Sequence, residues 1–459
     1  MEFSANDFGY ALVILSLVFA VASLIRRKVN FLRSLFIPTA VIGGFVALAL
    51  GPEGIGHING SNGVFADKTF GVWITLPGLL INVMCASLLL GEKLPPLPQI
   101  WKISGSHVIT AGIMSFGQYA VGAILVLLII NPVFGLTDKA AVLIEMSFAG
   151  GHGTLAGLTP VLHQYNVEEL LEIGLGLATI GMVTGIVFGT LLVNYAVKSP
   201  KIDVARDKPT VPEENYDIDY HEPTPDDPPI NTNRGMAQVT AAAVFLGVSI
   251  ALGMVLLGLM RWIFGLFGSD FFDMFPLFPF TIIGGVLVQL AATKFDFEWA
   301  VNRQAVEGLG GLAVDGIVIC AIGTLSLSAL GDQIGPLLVL AVGSVVWSMV
   351  VTMIIGPKVF ARNWFEHAIA EFGESQGNVA TGFVMVDMVD PNKHTDVVRG
   401  YGYRQLVTRP ILGGGFITAL SIPMVAAMGI TVFTIVMVTL TVAFTFWGIR
   451  HAAAIKAAS

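Results

Sequence analysis

The stretch AVLIEMSFAGGHGTLAGLTPVL, Ala141 to Leu162, joins two apolar arms through the tip Phe148-Ala149-Gly150-Gly151-His152-Gly153-Thr154. Neither arm reaches the roughly 20 apolar residues that a helix needs to cross a bilayer. Three glycines around one histidine make a poor helix interior, since each Gly costs about 1 kcal/mol against Ala. At membrane depth, non-helical backbone survives only where protein buries it or it lines a watery cavity. The stretch therefore reads as two half-helices meeting at an irregular tip, a re-entrant hairpin over residues 141–162. Its free amides and carbonyls suit an ion or a carboxylate. The rival reading is a glycine-rich loop outside the membrane between two spans.

The surrounding chain is built for lipid. Of its 459 residues, 54% are hydrophobic and only 12% charged, about half the charge of a soluble domain, and the mean hydropathy is +0.78. This predicts an all-α polytopic membrane protein whose first partner is the lipid bilayer. Cys85 and Cys320 both fall inside apolar segments, which argues against a disulfide framework. The net charge of −8 owes much to one acidic linker, and no nucleic-acid partner is expected. A Walker A sequence is absent, which argues against ATP as the energy source.

Outward from the hairpin, apolar runs predict spans near 8–25, 36–50, 72–90, 107–130 and 170–197 in a first half, residues 1–197. Residues 198–234, rich in Pro and acid, read as a mobile cytoplasmic linker. The second half, 235–459, repeats the pattern with spans near 236–264, 277–292, 309–325 and 336–359 and a second hairpin over 368–385. From Pro410 to Ile449 the chain is apolar for about 40 residues, which as helix is roughly 60 Å, twice a bilayer. It must break, and Gly429 is the first candidate, with Gly413-Gly414-Gly415 and Pro423 as rivals.

Charge fixes an orientation. The first span has no positive charge before it and Arg26-Arg27-Lys28 after it, the order of a span with its N-terminus outside rather than of a cleaved signal peptide. Let both hairpins return to their own side. Of the 24 basic residues, Lys68, Lys139 and Arg261 then fall outside, Arg450 and Lys456 remain at the C-terminal end, and the other 19 face the cytoplasm. Making either hairpin a full span destroys this positive-inside asymmetry.

The halves also echo one another. Pro38-x4-Gly43-Gly44 returns 241 residues later as Pro279-x4-Gly284-Gly285, and Phe148-x4-Gly153-x2-Ala156 returns 224 residues later as Phe372-x4-Gly377-x2-Ala380. With five spans per half, the second half is inserted upside down. Two inverted-topology repeats of about five spans, each with a re-entrant hairpin, are an arrangement used by secondary transporters.

Three segments carry a family resemblance: Ile37-Pro38 with Gly43-Gly44-Phe45-Val46-Ala47-Leu48-Ala49-Leu50, Gly150-Gly151-His152-Gly153-Thr154, and Ala178-Thr179-Ile180-Gly181 with Gly185. In these the chain resembles the bacterial sodium/glutamate symporters. The resemblance implies symport of glutamate or a related small carboxylate, with Na⁺ as coupling ion, across a bacterial cytoplasmic (inner) membrane. It also implies two inverted five-span halves and a homodimer. The second tip departs from the family's small, uncharged pattern. It reads Ala370-Glu371-Phe372-Gly373-Glu374-Ser375-Gln376-Gly377-Asn378, and its acids either pair with cations, bind Na⁺, or signal a different substrate.

The expected substrate contacts are Gly150, Gly151, His152, Gly153 and Thr154 at one tip and Ser375, Gln376, Gly377 and Asn378 at the other. His152 can donate to a carboxylate or tie down its own loop. Na⁺ is a hard cation that takes oxygen ligands, and Asp315, Ser147, Thr154, Asn378, Asn82 and Glu374 are the candidates. Asp315 stands out because a charge within a span costs about 2.5–3.5 kcal/mol. Arg404 and Arg409 read as interface anchors ahead of a role in attracting an anionic substrate, and Asp387 and Asp390 as solvated groups at the cytoplasmic mouth. A Na⁺- or H⁺-coupled symporter of another organic acid and a passive channel remain as alternatives. A membrane enzyme using His152 with Glu145 or Asp315 ranks below them, because no metal-ligand spacing is present.

Overall fold

The computed structural model describes residues 3–458 except 30–31, 33–36, 58–62, 93–96, 200–201, 203, 205–237, 269–271, 273–275, 328–330, 332, 378 and 391–394. Among the described residues, nine helices are long and apolar enough to cross a membrane, and a tenth apolar helix, Phe278–Lys294, is shorter. The protein is an all-helical, multi-pass membrane protein.

The first half holds α1 (Ala5–Lys28), α2 (Thr39–Leu50), α3 (Asp67–Ser87), α4 (Leu97–Leu125), α5 (Asn131–Phe134), α6 (Gly151–Gly157), α7 (Thr159–Gln164) and α8 (Glu169–Lys198). The second holds α9 (Gln238–Leu266), α10 (Phe278–Lys294), α11 (Arg303–Gly323), α12 (Ile334–Val350), α13 (Gly356–Val359), α14 (Trp364–Gln376), α15 (Val379–Val389), α16 (Val397–Thr408) and α17 (Phe416–Ala458).

α1 shows why these helices form and where they face. Ser4 and Asp7 close a capping box at its start, and Arg26, Arg27 and Lys28 fill its last turn, complementing the helix dipole at both ends. Only Ala11, Val18 and Ala22 are buried, on one narrow face, while Leu12, Val13, Leu17, Val21 and Leu24 are exposed. A helix so apolar on its outward side is solvated by lipid.

Small residues let the inner helices approach closely. A Cβ placed on Gly44 of α2 would lie 2.5 Å from Ile322 of α11, in the other half. One on Gly285 of α10 would lie 2.6 Å from the Ala86 carbonyl oxygen of α3, again in the other half. α4 and α12 end alike. A π-helical turn, Val126–Ile130 or Val351–Ile355, precedes a short helix carrying Pro132 or Pro357, where the missing proline N–H breaks the regular ladder.

Several expectations change. His152, Gly153 and Thr154 lie within α6, so the first tip is not an irregular loop; the break narrows to Gly151, whose φ is +71°. Tertiary packing outweighs the helix cost of the glycines. The second segment is longer than 368–385 and runs from Trp364 to Val389, folded back at Gly377. The long C-terminal apolar run breaks at Gly429 (φ 73°, ψ 156°), as its length demands. Most of the 198–234 linker lies outside the described residues; at its start, Ile202 and Val204 are buried against Phe365, Phe372 and Met385.

Candidate functional site

Gly174, Gly181, Gly185 and Gly189 recur on one face of α8 at spacings of seven and four. Each makes room for a part of the two broken segments. A Cβ on Gly174 would lie 2.3 Å from Leu155, and one on Gly189 would lie 2.4 Å from Met385 Sδ. Between them, a Cβ on Gly181 would lie 2.5 Å from the Gln376 carbonyl oxygen and 2.9 Å from the Phe148 ring. Gly181 is therefore where both broken segments touch the same helix. Beside it, the Cβ position of Gly151 is 3.7 Å from the Gly377 carbonyl oxygen. Two segments 224 residues apart in sequence thus meet tip to tip.

The first tip is fastened by a carboxylate. Glu145 begins a π-helical turn, Glu145–Ala149, and is fully buried. Tyr119 donates its hydroxyl to Glu145 Oε2. The Gly413 amide donates to Oε1 at 2.9 Å, and so does the Thr418 hydroxyl at 3.0 Å. These bonds draw the Gly413-Gly414-Gly415 turn onto the tip, where a Cβ on Gly414 would lie 2.4 Å from Thr154 Oγ1. Glu145→Ala strands three buried donors, each worth about 1–3 kcal/mol when left unpaired. The expected outcome is a clear loss of thermal stability in the detergent-purified protein, read from its unfolding temperature, with Glu145→Gln retaining part of it.

His152 is buried, and its Nε2 lies 2.9 Å from the Thr179 hydroxyl of α8. It binds the tip to the neighbouring helix rather than to its own loop. Because Thr179 donates its own proton to the Leu175 carbonyl at 3.0 Å, a proton on His152 Nε2 satisfies both groups. Gly150 donates its amide to the Glu145 carbonyl at 3.0 Å. The Cβ position of Gly153 is 3.8 Å from Val314 Cγ1, the residue before Asp315.

At the second tip, Ser375 and Gln376 are held from inside the protein. Gln118 donates to the Ser375 carbonyl at 2.9 Å, and Ser375 Oγ is 3.2 Å from Ser348 Oγ. Gln376 Nε2 donates to Ser348 Oγ at 2.7 Å, and its Oε1 lies 3.2 Å from the Thr184 hydroxyl. Their side chains position the tip, leaving the backbone at Gly377 to face Gly151. Asn378 lies outside the described residues.

The two acids beside the second tip, Glu371 and Glu374, are paired. Arg404 of α16 donates Nη1 to Glu374, and its Nη2 is 3.3 Å from Glu371; Gln405 adds a bond to Glu374 at 2.7 Å. Arg404 is buried and is not an interface anchor, because two carboxylates draw it inward. Glu374, named above as a cation ligand, is occupied by this arginine. Asp390 is also not solvated. It is buried and accepts from the Thr395 amide at 2.8 Å, just before α16. Sequence reading missed Tyr119, Gln118, Ser348 and Thr418. All are polar residues inside apolar runs, which is the signal that singled out Asp315.

Asp315 and Asn82 sit at one level of the packed α3–α11 pair. Ser87 faces Gly310 and Leu80 faces Gly316 across it. Asn82 Nδ2 donates to the Gly78 carbonyl at 3.0 Å, while its Oδ1 is buried without a hydrogen-bond partner among the described residues. Ser147 Oγ at the first tip is orphaned in the same way. Buried oxygens without donors suit a cation better than they suit an apolar core.

A cavity of about 20 Å³ lies between the segments, lined by Ala149 and Gly413 on one side and by Glu371, Glu374, Ser375 and Arg404 on the other. That volume holds a single water. A larger cavity of about 370 Å³ between α1, α2 and α8 is apolar apart from Thr179.

The sequence profile of the sodium/glutamate symporter family matches residues 5–371. The sodium/glutamate symporter of Haemophilus influenzae is 25% identical over 334 residues, which cover 72% of this chain and 76% of that protein.

Proposed function

Because the chain belongs to the sodium/glutamate symporter family, whose members are transporters with Na⁺ as coupling ion, we propose that it carries glutamate or a related small carboxylate with Na⁺ across the bacterial inner membrane. The observation that carries this reading is the meeting of the two broken segments on the glycine face of α8, with Gly151 and Gly377 apposed. Transporters place substrate and ion where discontinuous helices of two halves meet, because broken helices offer unpaired backbone groups there.

In this reading the halves are inverted repeats and each broken segment is a re-entrant hairpin. The reciprocal contacts of Gly44 and Gly285 with the opposite half support it. So do the two π-turn and proline breaks, 225 residues apart. The basic residues put the N-terminus outside. Substrate binds at Gly150–Thr154 and at residues 375–378, mainly through backbone, since Ser375 and Gln376 are anchored elsewhere. Asp315, with the unpartnered oxygens of Asn82 and Ser147, supplies the Na⁺ ligands. Alternating access follows from one part of the bundle moving against the other while the tips stay with the substrate. The assembly is a homodimer.

Proteoliposomes holding the purified protein should accumulate labelled glutamate against its gradient only when Na⁺ is higher outside. Uptake of another organic acid in place of glutamate would move the substrate assignment, and downhill flux without Na⁺ would support a channel. Asp315→Asn should raise the Na⁺ concentration for half-maximal uptake by about tenfold or more, a loss of about 1.4 kcal/mol per tenfold, while the protein still reaches the membrane. An unchanged Na⁺ dependence would return Asp315 to a packing role.

A further inference from the structure

A line of titratable side chains leaves the second tip and ends at the surface. Glu371 Oε1 is 2.7 Å from His107 Nδ1. His107 Nε2 is 2.7 Å from His367 Nδ1, and His367 Nε2 is 3.5 Å from Asp396 Oδ1. Side-chain exposure falls from 77% at Asp396 to 13% at His367 and 1% at His107 and Glu371. Each imidazole has one nitrogen toward the surface and one toward the tip. A structural histidine needs one such partner; two in a row, joined nitrogen to nitrogen, form a relay.

Proton bookkeeping allows two arrangements of the same protons. In one, His367 carries both of its protons and donates to Asp396 and to His107 Nε2, while His107 Nδ1–H donates to an ionised Glu371. In the other, the His367 Nδ1 proton has passed to His107 Nε2, and the His107 Nδ1 proton has passed to Glu371. All hydrogen bonds then point outward, ending at His367 Nε2–H and Asp396. The net change moves one positive charge from His367 to the Glu371 carboxylate, which becomes neutral. Run in reverse, the shift carries a proton held by Glu371 to His367, whose Nε2–H passes it to water beside Asp396.

We propose that Glu371 takes up a proton in the cavity between the two tips together with the anionic substrate, and that the His107–His367–Asp396 chain releases that proton at the surface. This rests on the symporter reading above. With Glu371 and Glu374 both ionised, Arg404 faces two carboxylates and the cavity wall carries one excess negative charge. A proton on Glu371 leaves a balanced Arg404–Glu374 pair, and the field that repels an incoming carboxylate is removed. The other groups facing Glu371 do not replace this function. Tyr401 of α16 donates to the Val379 carbonyl at 3.1 Å. Glu145 is turned toward Tyr119 and Thr418, Glu366 is buried on the same helix as Glu371, and Lys358 is exposed. On the symporter topology, Asp396 opens to the cytoplasm.

Two measurements test this. In proteoliposomes with a trapped pH dye, Na⁺-driven uptake of labelled glutamate should acidify the lumen and should bind glutamate more tightly at lower pH. Glu371→Gln should abolish both the acidification and the pH dependence of whatever uptake remains. His367→Asn, at the more accessible end of the chain, should shift the pH profile, and it serves if Glu371→Gln fails to fold. Wild-type uptake at constant lumen pH, or acidification that survives Glu371→Gln, overturns the proposal. Infrared difference spectra between high and low pH provide a readout independent of substrate. The carbonyl band of a protonated carboxyl should appear in the wild type and vanish in Glu371→Gln. No glutamate uptake with the band present would refute the glutamate assignment alone, and absence of the band in the wild type would refute the relay.

Discussion

Gly181→Ala is expected to abolish Na⁺-driven uptake. The added methyl carbon would lie 2.5 Å from the Gln376 carbonyl oxygen and 2.9 Å from the Phe148 ring, well inside contact distance for both. The oxygen belongs to backbone and cannot rotate away, so one segment must leave α8. Overpacking of this kind costs about 1–3 kcal/mol, and here the strain falls on the two tips together. Gly185→Ala should be milder, because its nearest neighbour is the Gln376 Cβ at 3.0 Å. Gly247→Ala, in open space on α9, serves as the control and should transport like the wild type. The comparison is read from uptake and from the unfolding temperature of the purified proteins. Equal uptake in the Gly181 and Gly247 variants would mean that close seating of the tips on α8 does not matter.

Arg404→Ala is expected to be strongly destabilising. Arg404 is buried between Glu371 and Glu374. Its removal leaves buried carboxylates without their cation, and breaking a buried pair from one side costs about 3–5 kcal/mol. Little protein should then accumulate in the membrane. Arg404→Lys should recover only part of the loss, since one ammonium replaces a fork that reaches both acids through separate nitrogens. Combining Arg404→Leu with Glu371→Gln and Glu374→Gln should restore accumulation, because no buried charge is left unpaired. Failure of that triple variant to accumulate would mean that Arg404 supports the fold by something other than charge balance.

The spans were legible because their signal is local. A run of apolar residues has a length, and length against bilayer thickness decides what spans and what must break. On that ground the C-terminal run had to break, with Gly429 the first of three candidate places. The first tip was legible as a break but not as a shape. Three glycines suggest loop, yet only Gly151 leaves the right-handed region, and packing keeps His152 to Thr154 helical. What could not be read were partnerships across the fold. Arg404 appears in sequence as a cation ahead of an apolar run, the usual look of an interface anchor. Its two carboxylates are about 30 residues away. His107 was simply the start of a span, and its partners Glu371 and His367 lie 264 and 260 residues further on. Outside the spans the same limit holds. The hydrogen bond from His367 keeps the Asp396 carboxyl below the usual carboxylate range, which no spacing in the sequence foretells.

The central claim is that both broken segments form one substrate site. Ala149 and Ser375 line the same cavity from opposite segments, and neither has the left-handed backbone of Gly151. With Cys85 and Cys320 first replaced by Ser, Ala149→Cys and Ser375→Cys can be made singly and reacted with a small membrane-permeant thiol reagent. The account predicts that glutamate together with Na⁺ slows the reaction at both positions, and that neither alone does so to the same extent. Protection at one position only, or at neither, would contradict a shared site.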